Sequence, residues 1–315
     1  MFEAQKFIDE QVEKIKEKVK GKAIIACSGG VDSMVSAVLA SKAIGDRLLA
    51  IYVNSGFMRK NETEEVEEMF STMGLNFKVV DASAEFFEAL KGVEDPEKKR
   101  KIIGEKFIRV FEKEAREYGA EYLVQGTIAP DWIESGSNGN STVKSHHNVG
   151  GLPEDMNMTL CEPLWDLYKD EVRQVARILG VKASERQPFP GPGLAVRCLG
   201  EVTPDNIEIV REACYIVEDE VRKSAEAGEM DLPWQYFAAL LPSRSVGVTK
   251  GSRAYGRTVV IRAVQSKDAM TAEFSKIPID VLGRMSKRIT DTLEGKVNRV
   301  VYDITNKPPA TIEWE

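Results

Sequence analysis

The chain has 315 residues, 43% of them hydrophobic, and 43 Lys and Arg against 50 Asp and Glu leave a formal net charge of −7. That length exceeds one typical core and predicts two domains, while the negative balance, with no basic block at either end, excludes the general electrostatic attraction on which nucleic-acid binders rely. No apolar stretch approaches the roughly 20 residues of a spanning helix and the N-terminus is charged rather than signal-like, so a cytoplasmic protein with no membrane partner is expected.

Residues 5–20 carry the spacing of an amphipathic helix. Apolar runs at 23–27, 48–53, 77–80 and 122–125 read as strands separated by helical patterns. This alternation predicts an α/β fold with a doubly wound, mainly parallel sheet, whose ligands bind beyond the carboxyl ends of the strands. Ser28-Gly29-Gly30-Val31-Asp32-Ser33 falls between the first strand and the next helix. Adjacent glycines let the backbone approach an anion, and the first N–H groups of a helix point at it with the positive end of the dipole. The expected ligand is a nucleotide phosphate, although the Gly-x4-Gly-Lys-Ser/Thr signature of the common P-loop is absent. The second strand nominates Asn54-Ser55-Gly56, and the fourth nominates Gly126-Thr127 followed by Asp131.

Residues 134–150 are rich in Gly, Ser and Asn and end near Lys144 and the only two histidines, His146 and His147. A lid over the site is expected near 134–153. Residues 168–179 read as a helix closing the first domain. The run Gln187-Pro188-Phe189-Pro190-Gly191-Pro192-Gly193 then forbids helix and central strand alike, which puts the domains at 1–187 and 188–315. The second domain reads as α+β, with helices at 204–227 and 278–293 and strands at 235–241, 258–264 and 299–304. Cys27, Cys161, Cys198 and Cys214 lack Cys-x-x-Cys spacing and are expected to be buried free thiols.

The loop Ser28 to Ser33 resembles the pyrophosphate-binding loop of the N-type ATP pyrophosphatases, whose sheet is adenine nucleotide α-hydrolase-like. The segment 299–315, Arg-Val-Val-Tyr-Asp-Ile-Thr-Asn-Lys-Pro-Pro-Ala-Thr-Ile-Glu-Trp-Glu, resembles the C-terminal signature of the synthetase portion of GMP synthases. Residues 54–60, 99–104 and 144–153 and the Pro-Phe-Pro-Gly-Pro-Gly junction match as well, so the chain is identified over essentially its whole length as a member of that family, of the two-subunit type. The resemblance implies ATP-dependent amination of xanthosine monophosphate (XMP) to GMP, with ATP and Mg2+ as cofactors. The XMP O2 attacks the α-phosphorus, pyrophosphate leaves, and ammonia displaces AMP. It further implies that Ser28, Gly29, Gly30, Val31, Asp32, Ser33, Asn54, Gly126 and Thr127 bind ATP, that Asp32 and Lys144 are catalytic, and that Asp32 helps hold the metal. Arg100, Gln235, Arg253, Lys307, Thr311, Ile312 and Glu313 are the implied XMP contacts, and a smaller C-terminal dimerisation domain implies a homodimer.

Two details qualify the pattern. The segment 246–253 lacks the acidic residue that family members often carry, which leaves the part played by Arg253 open. Only 27 residues precede Ser28 and no cysteine sits on a Gly-x-Cys-x-Gly turn, so ammonia is expected from a separate glutamine amidotransferase (glutaminase) subunit. Two other readings stand beside this one. A tRNA-base-modifying ATP pyrophosphatase is opposed by the net charge and the scattered thiols, and a non-catalytic purine nucleotide sensor has no need of α-phosphate chemistry.

Overall fold

The computed structural model describes residues 2–134, 158–181, 187–249, 251–267 and 269–315. The amphipathic pattern at the start becomes helix α1 (Ala4–Lys18), which buries Ala4, Ile8 and Ile15 and sets Lys16 and Lys18 at its negative pole. All but the last residue of β1 (Ala23–Ala26) and of β2 (Leu48–Asn54) is buried, as continuous apolar runs require when both faces of a sheet are covered. With β3 (Phe77–Asp81), β4 (Tyr122–Val124) and β5 (Thr159–Cys161) they form a parallel sheet in the order β3-β2-β1-β4-β5. The winding runs outward from β1 to β3 and restarts at β4 on the other side of β1. The loops after β1 and β4 therefore diverge at a topological switch point, where α/β sheets take their ligands. Helices α2 (Val31–Ile44) and α7 (Lys169–Leu179) pack with α1, and α3 (Glu62–Thr72) lays Phe70 against Phe77 of β3 at 5.1 Å between ring centroids. Strand β5 was not expected, because its three residues form no apolar run.

Two compact units make up the chain. One comprises Met1–Ser55, Glu62–Ala82 and Gly104–Arg186, the other Gly56–Asn61, Ser83–Ile103 and Gln187–Glu315. A division thus falls at the proline-rich junction, but two segments that the sequence alone assigned to 1–187 belong to the second unit. Phe57 is the reason for the first of them. It meets Phe86 and Phe87 of α4 (Ser83–Ala89) edge to face at 6.0 and 5.1 Å, and its carbonyl accepts from the Leu194 N–H at 2.7 Å. Helix α5 (Pro96–Tyr118) starts in the second unit and ends in the first, and α6 (Ala129–Glu134) follows β4.

The second unit is built on α8 (Pro204–Glu226), whose start is capped by Thr203 Oγ1 accepting from the Asn206 N–H at 3.2 Å. Strands β6 (Gln235–Thr249) and β7 (Ser252–Gln265) form a long hairpin, with β8 (Glu273–Phe274) antiparallel and β9 (Val297–Tyr302) parallel to β7. Helix α9 (Ile279–Thr292) lies on α8, with Arg288 bridging Asp219 at 2.7 Å and Glu220 at 2.5 Å. The hairpin runs further than the strands expected at 235–241 and 258–264. Pairing is interrupted between Leu240 and Arg244, where Pro242 supplies no N–H, and resumes as far as Thr249 opposite Ser252. Asn298 of β9 fills the space left by two glycines: a Cβ on Gly247 or Gly256 would lie 2.7 or 2.9 Å from its side chain. All four cysteines are buried and unpaired. Among the described residues no helix is long and apolar enough to cross a membrane.

Candidate active site

The loop after β1 turns through Gly29 at φ +76°, a left-handed conformation that glycine adopts without steric cost. Ser28 Oγ accepts from the Gly30 N–H at 3.4 Å, and Ser33 Oγ donates back to the Gly30 carbonyl at 3.1 Å. Val31, Asp32 and Ser33 begin α2, so their N–H groups face out of the helix start beyond the carboxyl end of β1. Gly126, in the loop after β4, lies against them. A Cβ there would stand 2.8 Å from the Asp32 carbonyl carbon and 2.9 Å from the Ser33 nitrogen. Next to it, Thr127 is buried and hydrogen-bonds the carboxylate of Glu162, which burial pushes up from its ordinary pKa. Asn54 ends β2, with its carbonyl accepting from the Ala82 N–H at 3.0 Å. Asp131 caps α6 by accepting from the Ile128 N–H at 2.9 Å.

Asp32 is the charged member of this loop. Its Oδ2 accepts from Lys169 Nζ at 2.5 Å, while its Oδ1 is buried with no hydrogen-bond partner among the described residues. Among the described residues no group of three or more His, Cys, Asp or Glu side chains could hold a metal. A single free carboxylate oxygen fits Mg2+ nonetheless, since that ion commonly takes one or two protein carboxylates and completes its shell with phosphate oxygens and water. Lys144, His146 and His147, with the lid expected near 134–153 beyond the end of α6, lie outside the described residues.

In the second unit the C-terminal residues are held by three cations with fully buried side chains. Arg262 donates to the carbonyls of Thr305 at 2.5 Å and Thr311 at 3.1 Å and pairs with Asp303 at 3.2 Å. Lys99 bonds the Glu315 carboxylate at 2.5 Å and the Cys198 carbonyl at 2.8 Å. Burial pushes the Glu315 carboxyl up, with Lys99 opposing. Arg197, at the end of a short 3-10 turn (Gly193–Arg197), forms a two-pronged pair with Glu313 at 3.1 and 2.8 Å. Burial works against its charge, but the Glu313 carboxylate outweighs that and holds the guanidinium above its ordinary pKa. Gln235 Nε2 donates to the same carboxylate at 2.8 Å.

Of the expected XMP contacts, Gln235, Glu313 and Thr311 come together here, Thr311 Oγ1 donating to the Glu313 carbonyl at 2.5 Å, with Ile312 buried between them in sequence. Arg100 donates to the main-chain oxygen of Glu315. Lys307 donates to the Ala269 carbonyl at 2.7 Å. Arg253 is elsewhere. It pairs with Val248 near the hairpin turn, whereas Gln235 pairs with Val264 at the opposite end, so the two are roughly 40 Å apart along the strand. Sequence reasoning missed Lys169, Arg197, Lys99 and Glu162. Only Lys169 left a signal, because an ammonium on the first residue of a helix opposes the dipole unless an anion faces it.

Comparison with known proteins gives this arrangement a family. Residues 1–110 match the family model described as NAD synthase, and residues 220–314 match the GMP synthase C terminal domain. A protein of Methanopyrus kandleri, named as one subunit of a glutamine-hydrolyzing GMP synthase, is 56% identical over 319 residues, covering 100% of both chains. A protein of the same name from Pyrococcus abyssi is 58% identical over 315 residues, covering 99% of each. A longer relative from Thermotoga petrophila, named as a glutamine-hydrolyzing GMP synthase with no subunit designation, is 56% identical over 98% of this chain but only 62% of its own length. The chain therefore belongs to the GMP synthase family, alongside the full-length relatives that are named as one subunit of the enzyme.

Proposed function

We propose that the chain catalyses the ATP-dependent amination of XMP to GMP through an adenylyl-XMP intermediate, releasing AMP and pyrophosphate. The reading rests on one observation above the others, the glycine turn into α2 at the switch point, with an Asp32 oxygen buried and unpartnered among the described residues at the start of that helix. In this reading ATP is held by Ser28, Gly29, Gly30, Val31, Ser33, Asn54, Gly126 and Thr127. The XMP O2 attacks the α-phosphorus, and the N–H groups of the α2 start donate to the departing pyrophosphate. Lys144, and Lys169 once Asp32 has turned from it, add positive charge there. Mg2+, when bound by Asp32, neutralises phosphate charge. An adenylate is a far better leaving group than an amide-like oxygen, so two easier substitutions replace one difficult step. Arg100 and Lys307 pair with the XMP phosphate, and Glu313 accepts from a purine N–H alongside Gln235, Thr311 and Ile312.

Ammonia comes from a separate glutaminase subunit, a reading supported by the subunit designation of the full-length relatives and by the longer Thermotoga petrophila protein. A homodimer forms through the second unit. Support comes from Val246, Val248 and Tyr255, which are 47%, 76% and 59% exposed and, by register, share one face of the hairpin with Arg253. With ATP, Mg2+, XMP and ammonia the purified chain is expected to release AMP and GMP in equal amounts, and with glutamine none until the glutaminase is added. AMP release that requires tRNA in place of XMP, or no release at all, overturns the proposal. Tyr255→Glu is expected to convert a dimer to a monomer by light scattering, and a monomeric wild type removes the dimer.

A further inference from the structure

The guanidinium of Arg197 is fully buried and lies 4.1 Å from the ring centroid of Phe237 and 5.2 Å from that of Phe189, so two aromatic rings fix its plane. Its Nε donates to Glu313 Oε2 and its Nη2 to Oε1, while Gln235 Nε2 donates to Oε1. A carboxylate offers about four lone-pair directions. Among the described residues these three bonds leave one, on Oε2. Burying an ion pair stabilises a fold no better than apolar side chains of the same volume would. The aromatic clamp, the fork and the amide together set the direction of the one remaining acceptor.

We propose that Arg197 is a positioning residue that aims the free lone pair of Glu313 Oε2 at the N1–H of an oxidised purine, and so sets the base specificity of the nucleotide site in the second unit. The proposal rests on the reading that Glu313 meets the base. It differs from a purely structural role in what it predicts for ligand discrimination. An aimed acceptor both bonds the N1–H and excludes a methyl group in its place, whereas a loosened Glu313 does neither.

The test measures binding of XMP and of N1-methyl-XMP to the full chain by calorimetry, with binding of the magnesium–ATP complex as a control. The preference for XMP is expected to fall about tenfold in Arg197→Lys, which keeps the charge but loses the fork, and at least as far in Arg197→Gln, with ATP affinity within about twofold. Because the ratio compares two ligands on one preparation, it is independent of the folded fraction. Phe237→Leu, which frees the guanidinium plane while leaving both charges in place, is expected to lower the ratio in part and answers the question if neither arginine variant folds. A native ratio in these variants, or equal weakening of both ligands, overturns the positioning role. Glu313→Gln separates the two levels of the argument. If it leaves XMP affinity unchanged, the purine contact itself is wrong. If it weakens XMP about tenfold while the Arg197 and Phe237 variants keep the native ratio, the contact stands and only the positioning role fails.

Discussion

Lys169 begins α7 with its ammonium where the partial positive charge of the helix start opposes it, and it is tolerated there because Asp32 lies 2.5 Å away. The lysine side chain is 44% exposed, so this ion pair contributes under about 1 kcal/mol to stability. In the proposed reaction its worth is chemical, as a cation beside the departing pyrophosphate. Lys169→Met is expected to lower turnover about 100-fold with ATP affinity nearly unchanged and a melting temperature within a few degrees of native. A variant that melts far lower yet turns over normally would make the lysine a structural residue. The cysteines give a second residue-scale prediction. Burial pushes the Cys27 thiol up to about 12 and the Cys198 thiol up to about 11, the latter partly opposed by Lys99. Both folded thiols stay protonated near pH 8, so iodoacetamide should leave them unlabelled in the native chain and label all four cysteines once the chain is unfolded. Because the unfolded thiols ionise first, near pH 9, these two sites favour the fold below that pH, and their contribution is lost as pH rises towards 11 and 12.

At the scale of elements, the start of α2 and the loop after β4 are fitted to each other by the lack of a side chain at Gly126. The atoms a Cβ would meet are backbone and cannot rotate aside. Gly126→Ala should therefore displace the first turn of α2 by a few tenths of an ångström, costing about 1–3 kcal/mol and raising the KM for ATP on the order of tenfold. A native KM with normal turnover would show that the phosphate loop is not set by this contact. The same two elements show what could be read in advance. Strands covered on both faces appear as unbroken apolar runs, so β1 and β2 were legible, and the glycine turn between β1 and α2 was legible because its chemistry is local. Strand β5 has two exposed residues out of three and offers no pattern. The outer part of the β6–β7 hairpin, rich in Ser, Arg and Gly, is shaped by Asn298 some fifty residues away, whose amide bonds Ser245 at 2.6 and 2.7 Å. Lys169 and Arg197 escaped notice for the same reason, since their partners lie 137 and 116 residues off in sequence.

The second unit is assembled from three separate stretches of chain, and its last residues join the second stretch to the third and fasten distant parts of the third to one another. Lys99 reaches Glu315 across 216 residues, Arg197 reaches Glu313 across 116, and Arg262 reaches Thr311 across 49. A free C-terminal peptide ordinarily frays; this one neutralises two cations whose side chains are otherwise sealed from water. Deleting residues 310–315 is thus a blunt test of substrate binding, because it also leaves Lys99 and Arg197 buried without their carboxylates. A single substitution separates the effects. Glu315→Gln removes one partner of a pair whose side chains are 0% and 6% exposed and should cost about 3 kcal/mol, lowering the melting temperature on the order of 10 °C. Adding Lys99→Met removes the stranded charge as well and should restore most of that loss, since a buried pair replaced by apolar groups is close to neutral. Calorimetric melting of the single and double variants decides the matter. If the double variant melts no higher than Glu315→Gln, the tail is held by its backbone contacts with Arg262 rather than by charge. If it recovers and still aminates XMP, the Lys99–Glu315 pair is a fastening for the nucleotide site and takes no part in the chemistry.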